Sequence, residues 1–223
     1  MHMDKLLVNV DWNQMLEATG ETLYMTAIAA LATFVLGLIL GLLLFMTAKD
    51  NLWENKSINT VIGAFVNIFR SIPFIILIIL LIPFTKILLG TILGASAALP
   101  ALIIGAAPFY ARMVEIALRE IDKGVIEASK AMGAKTSTII LKVLIPESLP
   151  ALVSGITVTT IALVGYTAMA GVVGAGGLGT LAYLEGFQRG NNDVTIVATI
   201  CVLLVVFLIQ WIGDSLTTRI DKR

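Results

Sequence analysis

From Leu23 to Ala48 the chain carries no charged residue. A helix of that length crosses a hydrocarbon core of about 30 Å, whereas a soluble domain has no way to cover so long an apolar cylinder. Asp4, Asp11, Glu17 and Glu21 precede the run and Lys49 follows it. Further apolar runs extend over 58–89, 92–118, 151–171 and 194–212, the last closed by Trp211, a residue type favoured at the membrane boundary. The whole chain is 58% hydrophobic and 13% charged, outside the soluble norm of roughly 45–50% apolar and about 25% charged. The expected fold class is therefore an all-α integral membrane protein in a single 223-residue domain.

The second run cannot be one upright span, because it would measure roughly 48 Å as a continuous helix. Arg70 lies within it, and a charge near the bilayer midplane costs roughly 2.5–3.5 kcal/mol. A span that begins near Ser71, with Pro73 in its first turn, avoids that cost and leaves Ile58 to Phe69 as an interfacial or tilted approach. The alternative is an Arg70 that faces a watery pathway. Five transmembrane helices result, at about 23–48, 71–90, 92–118, 151–171 and 194–212. Gly37 and Gly41 in the first form a G-x-x-x-G pair suited to close helix contact. Pro100 and Pro108 mark possible kinks in the third, whose end carries Arg112, Glu115 and Arg119 at pairing distance along one face.

Basic residues fix the expected orientation. Lys49, Lys56, Arg112, Arg119, Lys123, Lys130, Lys135, Lys142, Arg219, Lys222 and Arg223 fall on one side, against Lys5, Lys86 and Arg189 on the other. The positive-inside rule then places the N-terminus outside and the C-terminus in the cytoplasm. The residues after Met1 include acids and lack the basic n-region of a cleaved signal peptide. Formal net charge is +0, which gives no sign of nucleic acid as a partner. With one cysteine, Cys201, and one histidine, His2, the chain has neither a disulfide nor a cysteine metal site, and a hydrolase triad has no base.

One polar passage stands among the apolar runs, 120–150 (EIDKGVIEASKAMGAKTSTIILKVLIPESLP), on the side expected to be cytoplasmic. Asp122 is placed as an N-cap, the following residues form helix, and Gly133 is placed to end it in a left-handed conformation. A second short helix, about Ser137 to Leu144, is expected to stop before Pro146. The first helix presents Ile126, Ala128, Ala131 and Met132 together with Glu127 and Lys130, a mixture suited to a groove on another protein. On physical grounds alone a solvated hairpin fits equally well.

Motif spacing breaks the tie. Glu127-Ala128-Ser129, three residues, Gly133, nine residues, then Val143-Leu144-Ile145-Pro146 resembles the EAA loop of ABC-importer permeases, with conservative departures at Ser129, Val143 and Ile145. Phe69-Arg70-Ser71-Ile72-Pro73-Phe74, Gly105-Ala106-Ala107-Pro108-Phe109, Val164-Gly165-Tyr166-Thr167-Ala168-Met169 and Gly174-Ala175-Gly176-Gly177-Leu178-Gly179 are similar to the permeases of bacterial methionine importers. Asp122 stands where relatives often have proline. The resemblance implies a type I ABC-importer permease fold in the bacterial inner membrane, a homodimer, two cytoplasmic ATP-binding subunits and an extracytoplasmic methionine-binding protein. It implies that Glu127, Ala128, Ser129, Met132, Gly133, Ala134 and Pro146 couple to the ATPase. The chain itself would be no enzyme and hold no cofactor or metal; ATP and Mg belong to the partner, consistent with the lack of a Walker A motif here. Its cargo would be methionine, in both stereoisomers, and close analogues. Related permeases for other small amino acids or osmoprotectants share several of the motifs, and two paralogous permeases would serve a symmetric ATPase as well as a homodimer.

The glycine cluster at 174–179 satisfies G-x-G-x-x-G, but no strand-helix unit surrounds it, so closely packed backbone near an outer gate is expected in place of a dinucleotide site. Arg70, Tyr166, Thr167 and Met169 are candidate pathway or gate residues. The hydroxyls of Ser154, Thr157, Thr159, Thr160, Tyr166 and Thr167 suit either a wet pathway or bonding within the helix and to its neighbours, and Met169 suits either a gate or core packing. An ion-coupled secondary transporter fits less well, since five spans do not divide into equal inverted repeats.

Overall fold

The computed structural model describes residues 8–221, and all its regular elements there are helical. Helix α1 (Trp12–Thr47) begins well before the apolar run, because the Asp11 side chain accepts from the Asn13 and Gln14 backbone N–H groups and starts it. Glu17 and Glu21 therefore ride on its first turns. Helices α2 (Lys56–Ser71) and α3 (Phe74–Leu89) meet at 110° across Ile72-Pro73. The break follows from proline, which holds the residue before it out of the α conformation. The long second run is thus two helices, and Arg70 sits in the last turn of the first.

Helix α4 (Ala95–Arg119) is central, and it is the most deeply buried of the span candidates. Its packing against α1 depends on missing side chains: a Cβ on Gly37 would lie 2.7 Å from Tyr110 Cδ1, and one on Gly41 2.6 Å from the Ala111 carbonyl oxygen. The G-x-x-x-G pair is a close-contact surface, as expected. After α4 come α5 (Lys123–Ala131) and a return that begins as α6 (Thr136–Ile139), widens into a π-helical turn (Ile140–Leu144) and runs on as α7 (Ile145–Val172).

This return corrects one expectation: the helix after Gly133 does not stop before Pro146. Within the widened turn the Ile145 N–H reaches back five residues to Ile140, and proline, which has no N–H to donate, is accepted in the first turn of the segment that follows. The Ser148 hydroxyl then donates to the Leu144 carbonyl at 2.7 Å. The fourth apolar run accordingly lies within one helical segment, 136–172, that is long and apolar enough to cross a membrane.

A short outer element follows, α8 (Gly177–Leu181) continuing as a π-helical stretch (Ala182–Gln188), and α9 (Asn192–Ile220) closes the chain. The helices outrun the expected spans at several ends, most clearly α1, which the Asp11 cap starts early, and α9. Four helical segments (12–47, 95–119, 136–172 and 192–220) are individually long and apolar enough to cross a membrane, and the bent α2–α3 pair supplies a fifth candidate. Two cores lie stacked along α4. One joins Met25, Phe74, Leu102, Leu163 and Ala175; the other joins Phe45, Tyr110, Leu118, Ile126, Ile139 and Leu144.

Candidate functional site: a protruding helix and an aromatic cleft

Helix α5 is held by few residues and exposes the rest. The Asp122 carboxylate accepts from the Gly124 N–H at 2.7 Å, and Ile121 and Ile126 are buried below it. At its far end Gly133 adopts φ +78°, with its N–H donating to Lys130 and that of Ala134 to Ser129. This left-handed closure turns the chain back, and Ile139 and Leu144 anchor the return. Above these anchors Glu127, Ala128, Lys130, Ala131 and Gly133 are exposed, and Met132 is 80% exposed. The arrangement is a rigid knob with a small-residue and thioether surface, fixed at both ends.

Two expected members of that surface are elsewhere. Ile126 is 6% exposed and faces the core, and Ser129 is 7% exposed with its hydroxyl donating to the Val125 carbonyl. Both lie on the inner side of α5, so they position the knob without forming its outer face. Ala134 is half-buried against the same core, and Pro146 is exposed on the return helix.

The supporting end of α4 is pinned by charge. Glu115 is 2% exposed and accepts from Arg112 and Arg119, three residues before and four after it. A carboxylate this buried requires such partners, and the pair of arginines keeps the last turns of α4 helical directly ahead of α5.

Of the candidate pathway residues, Arg70 and Tyr166 come together. They line one small cavity with Phe69, Phe74, Gly105 and Phe109, and the Phe74 and Tyr166 rings stack at 4.5 Å with 2° between their planes. Arg70 is exposed, with no ion pair among the described residues. Met169 is 45% exposed and lies one turn after Gly165, beside which space is open. Thr167 does not join them: it is buried and donates to the Val164 carbonyl at 2.7 Å. Thr157, Thr159 and Thr160 likewise bond to carbonyls of their own helix, and Ser154 meets Thr217 of α9. The hydroxyl-rich face is mostly helix self-satisfaction and packing.

At the opposite end the glycine cluster is locked to α1. Glu21 accepts from the Gly177 N–H at 2.6 Å and Thr22 from the Leu178 N–H at 2.9 Å, filling the start of α8. Gly174, Gly176 and Gly177 all have positive φ, and a Cβ on Gly179 would overlap the backbone of Ala168 in α7. The roles of Glu21 and Thr22 escaped sequence reasoning, since nothing local pairs residues 156 positions apart.

A protruding capped helix on an all-helical membrane bundle has a match among known families. The model of the "binding-protein-dependent transport system inner membrane component" matches residues 37–223. The chain belongs to that family. This inner-membrane component is 69% identical, over 99% of both chains, to the methionine import system permease protein MetP of Bacillus subtilis. It is 49% identical to the probable D-methionine transport system permease protein MetI of Vibrio cholerae, covering 94% of this chain and 93% of that one. A solved structure of inward-facing conformations of the MetNI methionine ABC transporter superposes with a TM-score of 0.93 at 46% identity, over 95% of this chain and 98% of the other. The type I permease fold expected from the motifs is thereby established, as is the role of an inner-membrane translocation subunit.

Proposed function

We propose that this permease imports methionine as the membrane half of an ATP-driven transporter. Two copies face one another around a shared pathway, two ATP-binding subunits cover the α5 knobs on the cytoplasmic side, and an extracytoplasmic binding protein delivers the substrate. The N-terminus lies outside and the C-terminus inside, as the distribution of basic residues requires. The observation that carries the coupling role is the combination of buried anchors, Ile121 just before α5 and Ile126 within it, with an exposed face of Glu127, Ala128, Ala131 and the capping Met132. A helix fixed at both ends transmits the movement of whatever grips it, because packed elements shift as bodies. ATP and Mg are held by the partner subunits, and closure of the ATPase dimer moves α4 and α7 through the knob.

Methionine as cargo is supported by the names of relatives at 69% and 49% identity. Arg70, Tyr166 and Met169 line the pathway; Thr167 acts from within the helix by keeping the turn below Met169 closed. The permease makes only weak contacts with substrate, and selectivity resides mainly in the binding protein. Uptake of labelled methionine into proteoliposomes that contain the permease, its ATPase and the binding protein tests the proposal. ATP-dependent uptake that requires all three components is expected. Uptake without ATP, or none with every component present, would reject it.

A further inference from the structure

The cytoplasmic end of α4 separates two cavities, and the fold sorts charge between them. Glu120 lines one together with Glu147 and Asp221. Its sequence neighbour Arg119 lines the other, an open cavity of about 380 Å³ whose remaining charged residues are Lys49 and Lys123. Among the described residues no carboxylate lines this second cavity. Of the carboxylates close to it in sequence, Glu115 is engaged with Arg112 and Arg119, Asp122 with the Gly124 N–H and Glu54 with the Asp50 N–H, while Asp50 and Glu127 are exposed and outside the lining. Lys49 and Lys123 are exposed and make no ion pair among the described residues, and the Arg119 side chain is still 56% exposed beyond its bond to Glu115.

The floor of the same cavity is apolar, made by Phe45, Ile121 and Ile126. It lies where α1 ends at Thr47 and α4 at Arg119, the level of the cytoplasmic membrane boundary in the proposed topology. Trp53, 51% exposed and held beside the end of α1 by its N–H bond to Met46, is the residue type that marks headgroup level. The exposed apolar stripe of α2, Ile58, Val61, Phe65 and Ile68, continues away from it. Three cations above an apolar floor at this depth match a phosphate ester joined to acyl chains.

We propose that this cavity binds the phosphate-bearing headgroup of an anionic phospholipid of the inner leaflet, and that the bound lipid holds the base of α5. The inference rests on the proposed cytoplasmic placement of α5. Lys123 begins that helix and Ile126 is its buried anchor, so a headgroup bridging Lys49 and Lys123 ties the knob to the end of α1.

The test uses the assembled permease and ATPase in nanodiscs of phosphatidylcholine with or without phosphatidylglycerol. Lipid retention is read by native mass spectrometry and ATP hydrolysis in parallel. The wild type should retain phosphatidylglycerol in preference to phosphatidylcholine. Lys49→Gln and Lys123→Gln should each reduce that preference about fivefold, the order expected for one basic residue at an anionic surface. Lys86→Gln, on α3 outside the cavity, should leave it unchanged. Stimulation of ATP hydrolysis by phosphatidylglycerol should fall in the same two variants. No preference in the wild type, or equal loss in Lys86→Gln, would overturn the site. Displacement of the effect by inorganic phosphate would assign the cavity to a soluble anion instead. Release of the ATPase from Lys123→Gln equally in both lipids would make these cations an ATPase contact and overturn the lipid assignment. Failure of methionine uptake with the lipid pattern intact would reject the cargo alone.

Discussion

The two short helical segments at opposite ends of the bundle, α5 and α8, are built on different principles. Helix α8 is welded into place. Glu21 and Thr22 cap it, its glycines press against α1 and α7 with no room for a Cβ, and Leu178 is fully buried. Helix α5 stands on two buried isoleucines and leaves a mixed face of small apolar and charged residues in the open. A segment completed by its own chain is a structural joint. In the proposed function, the segment left incomplete at its outer face is completed by a partner.

Substitutions should separate the two kinds of segment. The largest effect is expected at Gly179: valine there drives a side chain into the Ala168 backbone, and overpacking of this sort costs about 3 kcal/mol or more. Gly179→Val should therefore be lost from the monodisperse fraction on size-exclusion chromatography. At Gly133, φ +78° with open space around the Cβ position makes the cost conformational alone, about 1–2 kcal/mol for a branched residue. Thermal unfolding of Gly133→Val should show that smaller loss, while ATP-dependent uptake falls further because the knob is tilted. Glu21→Ala removes one helix cap, worth about 1 kcal/mol. Its signature should be faster amide exchange over 174–181, with none over 123–134. Should the exchange spread equally to both segments, the outer and inner ends are not independent bodies.

How much of this contrast could be read beforehand depends on distance along the chain. The apolar runs, the Asp122 cap and the Gly133 stop each follow from a few adjacent residues, and the structure has all of them; the second membrane helix was expected to start near Ser71 with Pro73 in its first turn, whereas Ser71 ends α2 and Pro73 caps α3. Pro146 misled because proline normally ends the helix before it, and the π-helical turn that accommodates it leaves no trace in composition. Ile126 was placed on the wrong face of α5 because a nine-residue helix offers too few turns to fix its buried side by pattern. Thr167 belonged to a hydroxyl-rich stripe whose bonds run along the helix, which sequence cannot distinguish from a stripe facing water. The α1 cap on α8 was invisible for the simplest reason, since it joins residues that only the fold brings together.

The smallest effect on the fold is expected at Glu127. It is exposed and makes no ion pair among the described residues, so Glu127→Arg should melt like the wild type. Co-purification of the ATPase should nevertheless be lost, since a reversed charge in a fitted groove is repelled. A variant that melts normally and keeps its ATPase would remove Glu127 from the contact.

The central claim, that the open face of α5 is covered by the ATPase, is tested most directly at Met132. In a Cys201→Ser background, Met132→Cys should react with a membrane-impermeant maleimide within the free permease, where this side chain is 80% exposed. Adding the ATPase subunit should slow that reaction at least tenfold. An unchanged labelling rate in the assembled complex would contradict the account.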